Sequence, residues 1–451
     1  MATLNSPLWP RFWLRMRAPL LRLAESPVKT LCLRYYSLFA DRIDDGLRTD
    51  ANDHPVMAII CEEFFQRDLG GFGGFGMTVR NLTNHYNSRR HGLQAAVIMP
   101  HNLGLVDRPE VRRIRNTKVL FLPSLGKLLL YPRRFIGQMR SLRPRFFLGI
   151  DYQVKYEYAL WGAPRIPLVI YLRDPRGREE WRTIGTVPQE AAASKRADPR
   201  QLEGIAMQQQ ESYRRIHRWS RHTGRKIVFA TNAQCLVERA RRKFNLPGLQ
   251  AYYLPNPIPQ PSVWSITWQK SPMFLYLGRL EPQKRPWIIY ALARRLPEVT
   301  FVLAGEARHP NLIEPLIARF GNPANILLAG LVEGEDKDAL LRRCWGLINT
   351  SIHEGLPVSF LEAFAYGKCV ISGLDPDGLV SRFGYPAGEH IGLGLDDLTL
   401  DAFENQIRRC MGDEKTRRAR GRAAQRHVRQ VHSFASFDRH LSQLLKAEGI
   451  K

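Results

Sequence analysis

Glu354 and Glu362 stand on either side of a Gly355-Leu356-Pro357 turn, and the apolar run Ala363-Phe364-Ala365-Tyr366 follows, closed by Gly367. Proline suits the first turn of a helix, where its missing N–H is not needed, and glycine suits the position just past the end. The pattern predicts a helix over 357–366, with Glu354 in the loop before it and Glu362 projecting from inside it. A helix start behind a glycine turn offers free N–H groups and the positive end of a dipole, which together suit a phosphate. Two carboxylates beside it can accept hydrogen bonds from hydroxyls. A ligand that carries both phosphates and hydroxyls is a nucleotide-sugar. A capped helix with two incidental glutamates is the plainer reading of this segment taken alone.

Gly278-Arg279-Leu280-Glu281-Pro282-Gln283-Lys284 brings two cations close together after an apolar run. Arginine presents a planar donor fork to phosphate oxygens, and lysine presents a point charge. A solvated loop in an arginine-rich chain is the alternative. Gly70-Gly71-Phe72-Gly73-Gly74-Phe75-Gly76 contains G-x-G-x-x-G, from Gly71 to Gly76. A dinucleotide fingerprint also needs an acid at the end of the second strand. The chain there reads Val97-Ile98-Met99-Pro100-His101-Asn102 and has none. Asp375-Pro376-Asp377 has D-x-D spacing, but Asp and Pro both favour turns, and a turn is the expectation.

These groups need a frame. Val56–Ile60, Ala95–Met99, Val119–Leu122, Pro167–Leu172 and Ile227–Ala230 are apolar runs of strand length. Helix-length stretches separate some of them. The polar, basic stretch 176–225 is longer than a crossover needs and reads as an insertion, helical around Gln201–His222. Asn256-Pro257-Ile258-Pro259 breaks the series. A second series follows, with strands at Met273–Leu277, Thr300–Ala304, Ile326–Ala329, Gly346–Asn349 and Cys369–Ser372. Its helices are expected over Pro286–Leu296, Asn311–Phe320, Asp336–Cys344 and Pro357–Tyr366. Such alternation argues for parallel sheets covered on both faces. The fold class is therefore α/β, with two Rossmann-like doubly wound domains facing a cleft. The expected divisions are a basic extension over 1–53, a first domain over 54–260, a second over 261–425 and a closing helical segment over 426–451.

The whole phrase E-G-L-P, then L-E-A, then A-x-G and Val370-Ile371 resembles the E-x7-E motif of the retaining family-4 glycosyltransferases of GT-B fold. The resemblance covers roughly residues 56–425, specific in the second half and loose in the first. It implies transfer of a sugar from a nucleotide-diphosphate donor to an acceptor hydroxyl, with retention. It implies that Arg279 and Lys284 hold the donor diphosphate, as in the family's G-R-x-x-x-x-K. Glu354 would meet the hydroxyls of the transferred sugar, and Glu362 those of the ribose. Backbone around Gly355, Leu356, Pro357 and Val358 would meet diphosphate or sugar. The segment ending at Val332 would read the base edge. Gly73 and Gly74 lie in the family's glycine loop, where backbone approaches donor and acceptor. The last helix would return to the first domain. Many relatives carry a histidine after the strand 167–172; this chain has Arg173-Asp174-Pro175. Arg173 cannot act as a base at neutral pH; it could bind an anionic acceptor or pair with Asp174. With two cations on the diphosphate, no metal and no cofactor are expected. A non-catalytic basic binding protein on the same fold, and a nucleotide-sugar epimerase, are the competing readings.

The chain has 451 residues, 44% hydrophobic and 24% charged, which suits a globular protein with a sizeable core. Six cysteines show no CxxC spacing, so neither a zinc site nor a disulfide framework is suggested. The net charge is +25, an attractive field for anionic partners. No apolar run approaches the ~18 residues of a membrane span. Residues 1–40 hold six Arg/Lys and one acid, interleaved with Trp9, Trp13 and several leucines, a mix that fits a membrane interface. A transit peptide or a packed extension would also fit. Residues 112–145 add ten Arg/Lys and no acid, again between apolar runs. The expected partners are a nucleotide-sugar, a lipid-linked sugar, glycolipid or glycan acceptor, and an anionic membrane surface on its cytoplasmic face. No RNA-binding signature is present.

Overall fold

The computed structural model describes residues 27, 29–32, 34–36, 56–64, 73–88, 92–100, 105–187, 199–261, 269–307 and 310–450. Eight strands build one sheet: β1 (Val56–Ile60), β2 (Gln94–Met99), β3 (Glu110–Ile114), β4 (Thr117–Phe121), β5 (Pro144–Ile150), β6 (Leu168–Leu172), β7 (Ile227–Thr231) and β8 (Tyr252–Tyr253). Their spatial order is β3-β4-β2-β1-β5-β6-β7-β8. Six more build a second sheet: β9 (Met273–Leu277), β10 (Thr300–Ala304), β11 (Ile326–Gly330), β12 (Gly346–Asn349), β13 (Cys369–Ser372) and β14 (Tyr385–Pro386), in the order β11-β10-β9-β12-β13-β14. The pairs are parallel apart from the β3–β4 hairpin. Parallel strands need helical crossovers, and these cover both faces, so β1, β6, β12 and β13 are almost wholly buried.

Each sheet carries a core on either side. In the first domain Phe147, Trp161 and Phe135 pack on one face, and Phe146, Tyr171 and Val97 on the other. In the second, Phe274, Trp287 and Phe403 pack on one face, and Leu275, Phe360 and Phe364 on the other. The segment 176–225 joins β6 to β7 through the helices Arg178–Gly185 and Pro199–Thr223. The long helix contributes Tyr213, Ile216 and Trp219 to the first-domain core.

Four strands lie where none was expected. β5 runs through the middle of the first sheet, between β1 and β6. β3 is charged, with Arg112 and Arg113 exposed, as suits the edge it occupies. β8 and β14 are two-residue edges. The closing segment is two helices, Glu414–Val431 and Phe434–Ala447. Ser433 divides them, its hydroxyl accepting from the Ser436 N–H as an N-cap. Ala424 and Val428 of the first helix pack on the second domain, whereas Phe437, Leu441 and Leu444 of the second helix lie in the first-domain core. Most of 1–53 lies outside the described residues; Tyr36 is buried against Phe135 and Trp161.

Candidate active site

In the second domain, β9 ends at Leu277 and the chain turns out through Gly278-Arg279 into a single helical turn, Pro282–Lys284. Arg285 follows in the left-handed region and is buried, its guanidinium donating to the carbonyls of Thr350 and His390. The Thr350 hydroxyl donates back to the Lys284 carbonyl at 2.7 Å. The loop bearing Lys284 is thus tied to the loop before Glu354. The Lys284 ammonium contacts the Glu354 carboxylate directly, and the Ser351 hydroxyl donates to the same oxygen at 2.7 Å. Burial pushes the Glu354 carboxyl up, but Lys284 and Ser351 outweigh it and hold it below the usual carboxylate range. Glu354 stays ionised and acts as an acceptor.

The helix after it spans Val358–Ala365, with Pro357 as the residue just before its first turn and Gly367 in the left-handed region beyond its end. Glu362 projects from this helix, and Lys337 donates to it at 2.6 Å from the neighbouring helix Gly334–Arg343. Val332 follows β11 and Gly330 and packs at the edge of the same core. Leu356 and Val358 are buried in that core. Arg279 stands at the mouth. It lies 3.4 Å from Glu281 and 3.9 Å from Glu63 of the first domain.

From the first domain, Glu63 follows β1 and accepts the Gly76 N–H, within the first turn of the helix Gly74–Ser88, at 3.2 Å. Its carboxylate fills the space beside Gly73, where a Cβ would lie 2.4 Å from it. A Cβ on Gly74 would lie 3.3 Å from Val358 of the second domain. Nothing in the sequence pattern singled out Glu63. The residues 65–72, with the first half of the glycine loop, lie outside the described residues.

Arg173 and Asp174 follow β6 and diverge. The Asp151 carboxylate receives both of their backbone N–H groups, at 3.1 and 2.7 Å. Arg173 is buried, and its guanidinium donates to Thr78 and Asn256 beside the rings of Tyr171 and Phe75. Asp174 turns towards the second domain and meets His353 Nε2 at 2.7 Å, while Arg176 donates to it from Nε at 2.7 Å. Burial pushes the Asp174 carboxyl up, but Arg176 and His353 outweigh it and hold it well below the usual range. Nothing in the sequence pattern singles out His353, and it offers Asp174 at most a pairing with Arg173.

The two domains meet closely here. A Cβ on Gly355 would fall 1.9 Å from the Arg173 carbonyl oxygen. Arg239, on the first-domain helix Cys235–Phe244, donates to the Glu354 carbonyl at 2.5 Å. Asp377 accepts from the N–H groups of Gln234 and Cys235 at 2.7 and 2.8 Å, capping that same helix from across the cleft. Asp375 accepts the Val380 N–H at 2.6 Å. The D-x-D pair is a tight turn, Pro376–Gly378, with both carboxylates committed to N–H groups. Among the described residues no cluster of three His, Cys, Asp or Glu is placed to hold a metal ion.

Residues 264–427 match the family model described as glycosyl transferases group 1. No curated protein matched the sequence. Among solved structures, the fold is similar to HepE of Anabaena in complex with UDP and glucose, at 16% identity over 87% of this chain and 100% of that one, with a TM-score of 0.59. It is similar to sucrose-phosphate synthase of Thermosynechococcus elongatus at 14% identity, covering 87% and 98%, with a TM-score of 0.62. It is also similar to WaaG, a glycosyltransferase involved in lipopolysaccharide biosynthesis, at 14% identity, covering 82% and 94%, with a TM-score of 0.53.

Proposed function

We propose, from the premise that this chain is a group 1 glycosyltransferase of GT-B fold, that it moves a sugar with retention from a nucleotide-diphosphate donor to an acceptor hydroxyl through the residues gathered at the cleft. The observation that carries this reading is the joining of two separate loops at one point, Lys284 on Glu354, with Arg279 facing the first domain beside them. In this reading Arg279 and Lys284 receive the charge that builds on the leaving diphosphate, Arg279 exchanging Glu63 for phosphate oxygens. Glu354 accepts from hydroxyls of the transferred sugar. Glu362, oriented by Lys337, accepts from the ribose. Rate enhancement comes from a preorganised positive site and from alignment of donor and acceptor, not from a strong base. Both carboxylates of D-x-D are committed as caps, so leaving-group charge falls to these cations and no metal is assigned.

The test is a thermal-shift screen with UDP-, GDP- and ADP-sugars, followed by hydrolysis of any that bind. A ligand at 100 times its Kd stabilises by about 2.7 kcal/mol. UDP-glucose is the first probe, because HepE, WaaG and the synthase share the fold and HepE binds UDP and glucose. No shift and no turnover with any of the three classes would overturn the proposal.

The second part of the proposal is that transfer takes place at an anionic membrane, on its cytoplasmic face, to a lipid-linked sugar, glycolipid or nascent glycan. Support comes from one edge of the first domain. Leu130 and Tyr131 are exposed between the exposed cations Lys127 and Arg133, and Arg112 and Arg113 of β3, the strand that the following helix contacts through Gln138, are exposed as well. Polybasic attraction is worth on the order of 1 kcal/mol per residue at such a surface. Among the described residues no helix is long and apolar enough to cross a membrane. Sedimentation with anionic and neutral vesicles decides the matter: binding to anionic vesicles that salt weakens is expected, and binding to neither removes the membrane from the reading.

A further inference from the structure

Four residues close a ring across the cleft. Asp174 meets His353 Nε2 through Oδ1 at 2.7 Å, and receives Arg176 Nε on Oδ2 at 2.7 Å. Arg176 Nη1 donates to Gln283 Oε1 at 3.1 Å. Gln283 Nε2 then donates to the His353 carbonyl at 3.1 Å, which completes the circuit. Asp174 and Arg176 belong to the first domain, Gln283 and His353 to the second. Only two of the bonds therefore cross between domains.

Each half of the ring is braced by contacts within its own domain. On the first-domain side, the Asp174 N–H is held by Asp151 at 2.7 Å, and the Arg176 ion pair fixes the carboxylate. On the second-domain side, the Ile352 N–H donates to the Gln283 carbonyl at 3.0 Å, so the two loops are already joined there by backbone and side chain. The side chains of His353 and Asp174 are only 5% and 11% exposed, so the bond between them is made in a poorly solvated place. The ring is next to the chemistry in sequence as well as in space. Gln283 immediately precedes Lys284, and His353 immediately precedes Glu354. Arg239 on the Glu354 carbonyl also crosses between the domains at the site, whereas Arg80 meets Glu333 at 3.3 Å on the exposed rim, away from it.

We propose that Asp174, Arg176, Gln283 and His353 form a closure latch, positioning residues that bring Lys284 and Glu354 into register with the first domain only when the two domains meet. The donor residues sit together on the second domain whether or not the ring is formed. The ring acts on their alignment with an acceptor held by the first domain. Its loss is therefore read in kcat and not in donor KM. The assay rests on the transfer reading above; the conformational part of the test does not.

The experiment uses the full chain with UDP-glucose. Asp174→Asn and His353→Ala each should lower kcat by about tenfold or more, as expected for a loss of alignment. Donor KM should stay within about threefold, because uniform donor binding is retained. His353→Gln keeps an N–H donor of similar reach and should recover part of the loss. The double variant Asp174→Asn/His353→Ala should be no slower than the worse single, since partners in one bond are not additive. Arg80→Gln, which cuts the rim bridge, should leave kcat unchanged. Solution scattering with UDP present should give a larger radius of gyration for Asp174→Asn than for the unaltered chain. Independent, multiplying losses in the double variant, or an equal loss in Arg80→Gln, would overturn the latch. If the unaltered chain turns over no UDP-glucose, that counts against the transfer reading, and scattering still decides the latch: unchanged compactness in Asp174→Asn and His353→Ala would refute it.

Discussion

Gly355→Ala is the smallest change that separates two roles for the E-G-L-P turn. Alanine keeps the backbone N–H, so a site that only presents N–H groups to a phosphate would survive it. The added methyl would sit 1.9 Å from the Arg173 oxygen and 3.0 Å from its carbon, where ordinary contact begins near 3.4 Å. Both obstacles are backbone and cannot rotate away. The two domains must therefore part by about 1.5 Å at this point. That displacement breaks the 2.7 Å Asp174–His353 bond and the 2.5 Å bond from Arg239 to the Glu354 carbonyl. Misplacement on the order of 1 Å costs roughly 100-fold in rate. We expect kcat/KM for transfer to fall by about that factor, while UDP binding, measured by calorimetry, changes little because the residues proposed for it lie on the second domain. Gly137→Ala, on the exposed face of the helix Pro132–Leu142 with open space around it, is the control; it should stabilise the chain slightly, by about 0.5–1 kcal/mol. Full transfer activity in Gly355→Ala would refute the argument that close approach at this glycine is required.

Further expectations follow from the same site. Arg279→Ala or Lys284→Ala should cut kcat/KM by roughly two orders of magnitude or more, as for lost transition-state charge stabilisation; near-normal turnover in both removes the diphosphate role. Glu362→Ala should mainly raise donor KM, and Glu354→Ala should mainly lower kcat; steady-state kinetics with the opposite ranking would reverse these roles. Activity should persist in EDTA, and complete loss restored by Mn²⁺ or Mg²⁺ would contradict a site run by Arg279 and Lys284. Glu354 has a depressed folded pKa, so its stabilising share is full above the unfolded value near 4.3 and is lost as pH falls below it. The difference in Tm between the unaltered chain and Glu354→Gln should accordingly shrink on acidification through that range, and a difference independent of pH would show that the Lys284 pair gives no such stabilisation.

The second domain was nearly legible because its strands are short, buried, apolar runs with clear punctuation. Met273–Leu277, Gly346–Asn349 and Cys369–Ser372 fall at the expected residues. β5 escaped because Pro144 and Arg145 join it to a run read by its charge, and a long arginine can lie along a sheet with its head in water. β3 escaped because an edge strand needs no apolar alternation. Within the site, Lys284, Glu354 and Glu362 could be found because each lies in a short local pattern, G-R-x-x-x-x-K or E-x7-E, inside one domain. Asp174 and His353 stand 179 positions apart and touch only when two domains close, so no spacing could announce them. Gly355 drew notice for its backbone N–H. The reason it must be glycine is a carbonyl of the other domain, which the local sequence does not contain.

The return of the last helix sets a timetable for synthesis. Phe437, Leu441 and Leu444 belong to the same core as Met57, Val97 and Tyr171. The first sheet is complete in sequence at Tyr253, and Val79, Leu82 and Tyr86 of the helix Gly74–Ser88 already cover part of this face, yet the rest of it stays uncovered until the C-terminal helix has emerged. At roughly 5–20 residues per second, the nearly 200 intervening residues take about 10–40 s. During that interval the nascent first domain shows a strip of apolar surface to solvent or to chaperones, while the second domain finishes folding in between. Folding strictly domain by domain in chain order is thus closed to this protein: the part made first is finished last, and a chain that stops short of residue 434 leaves its first domain without that part of its cover.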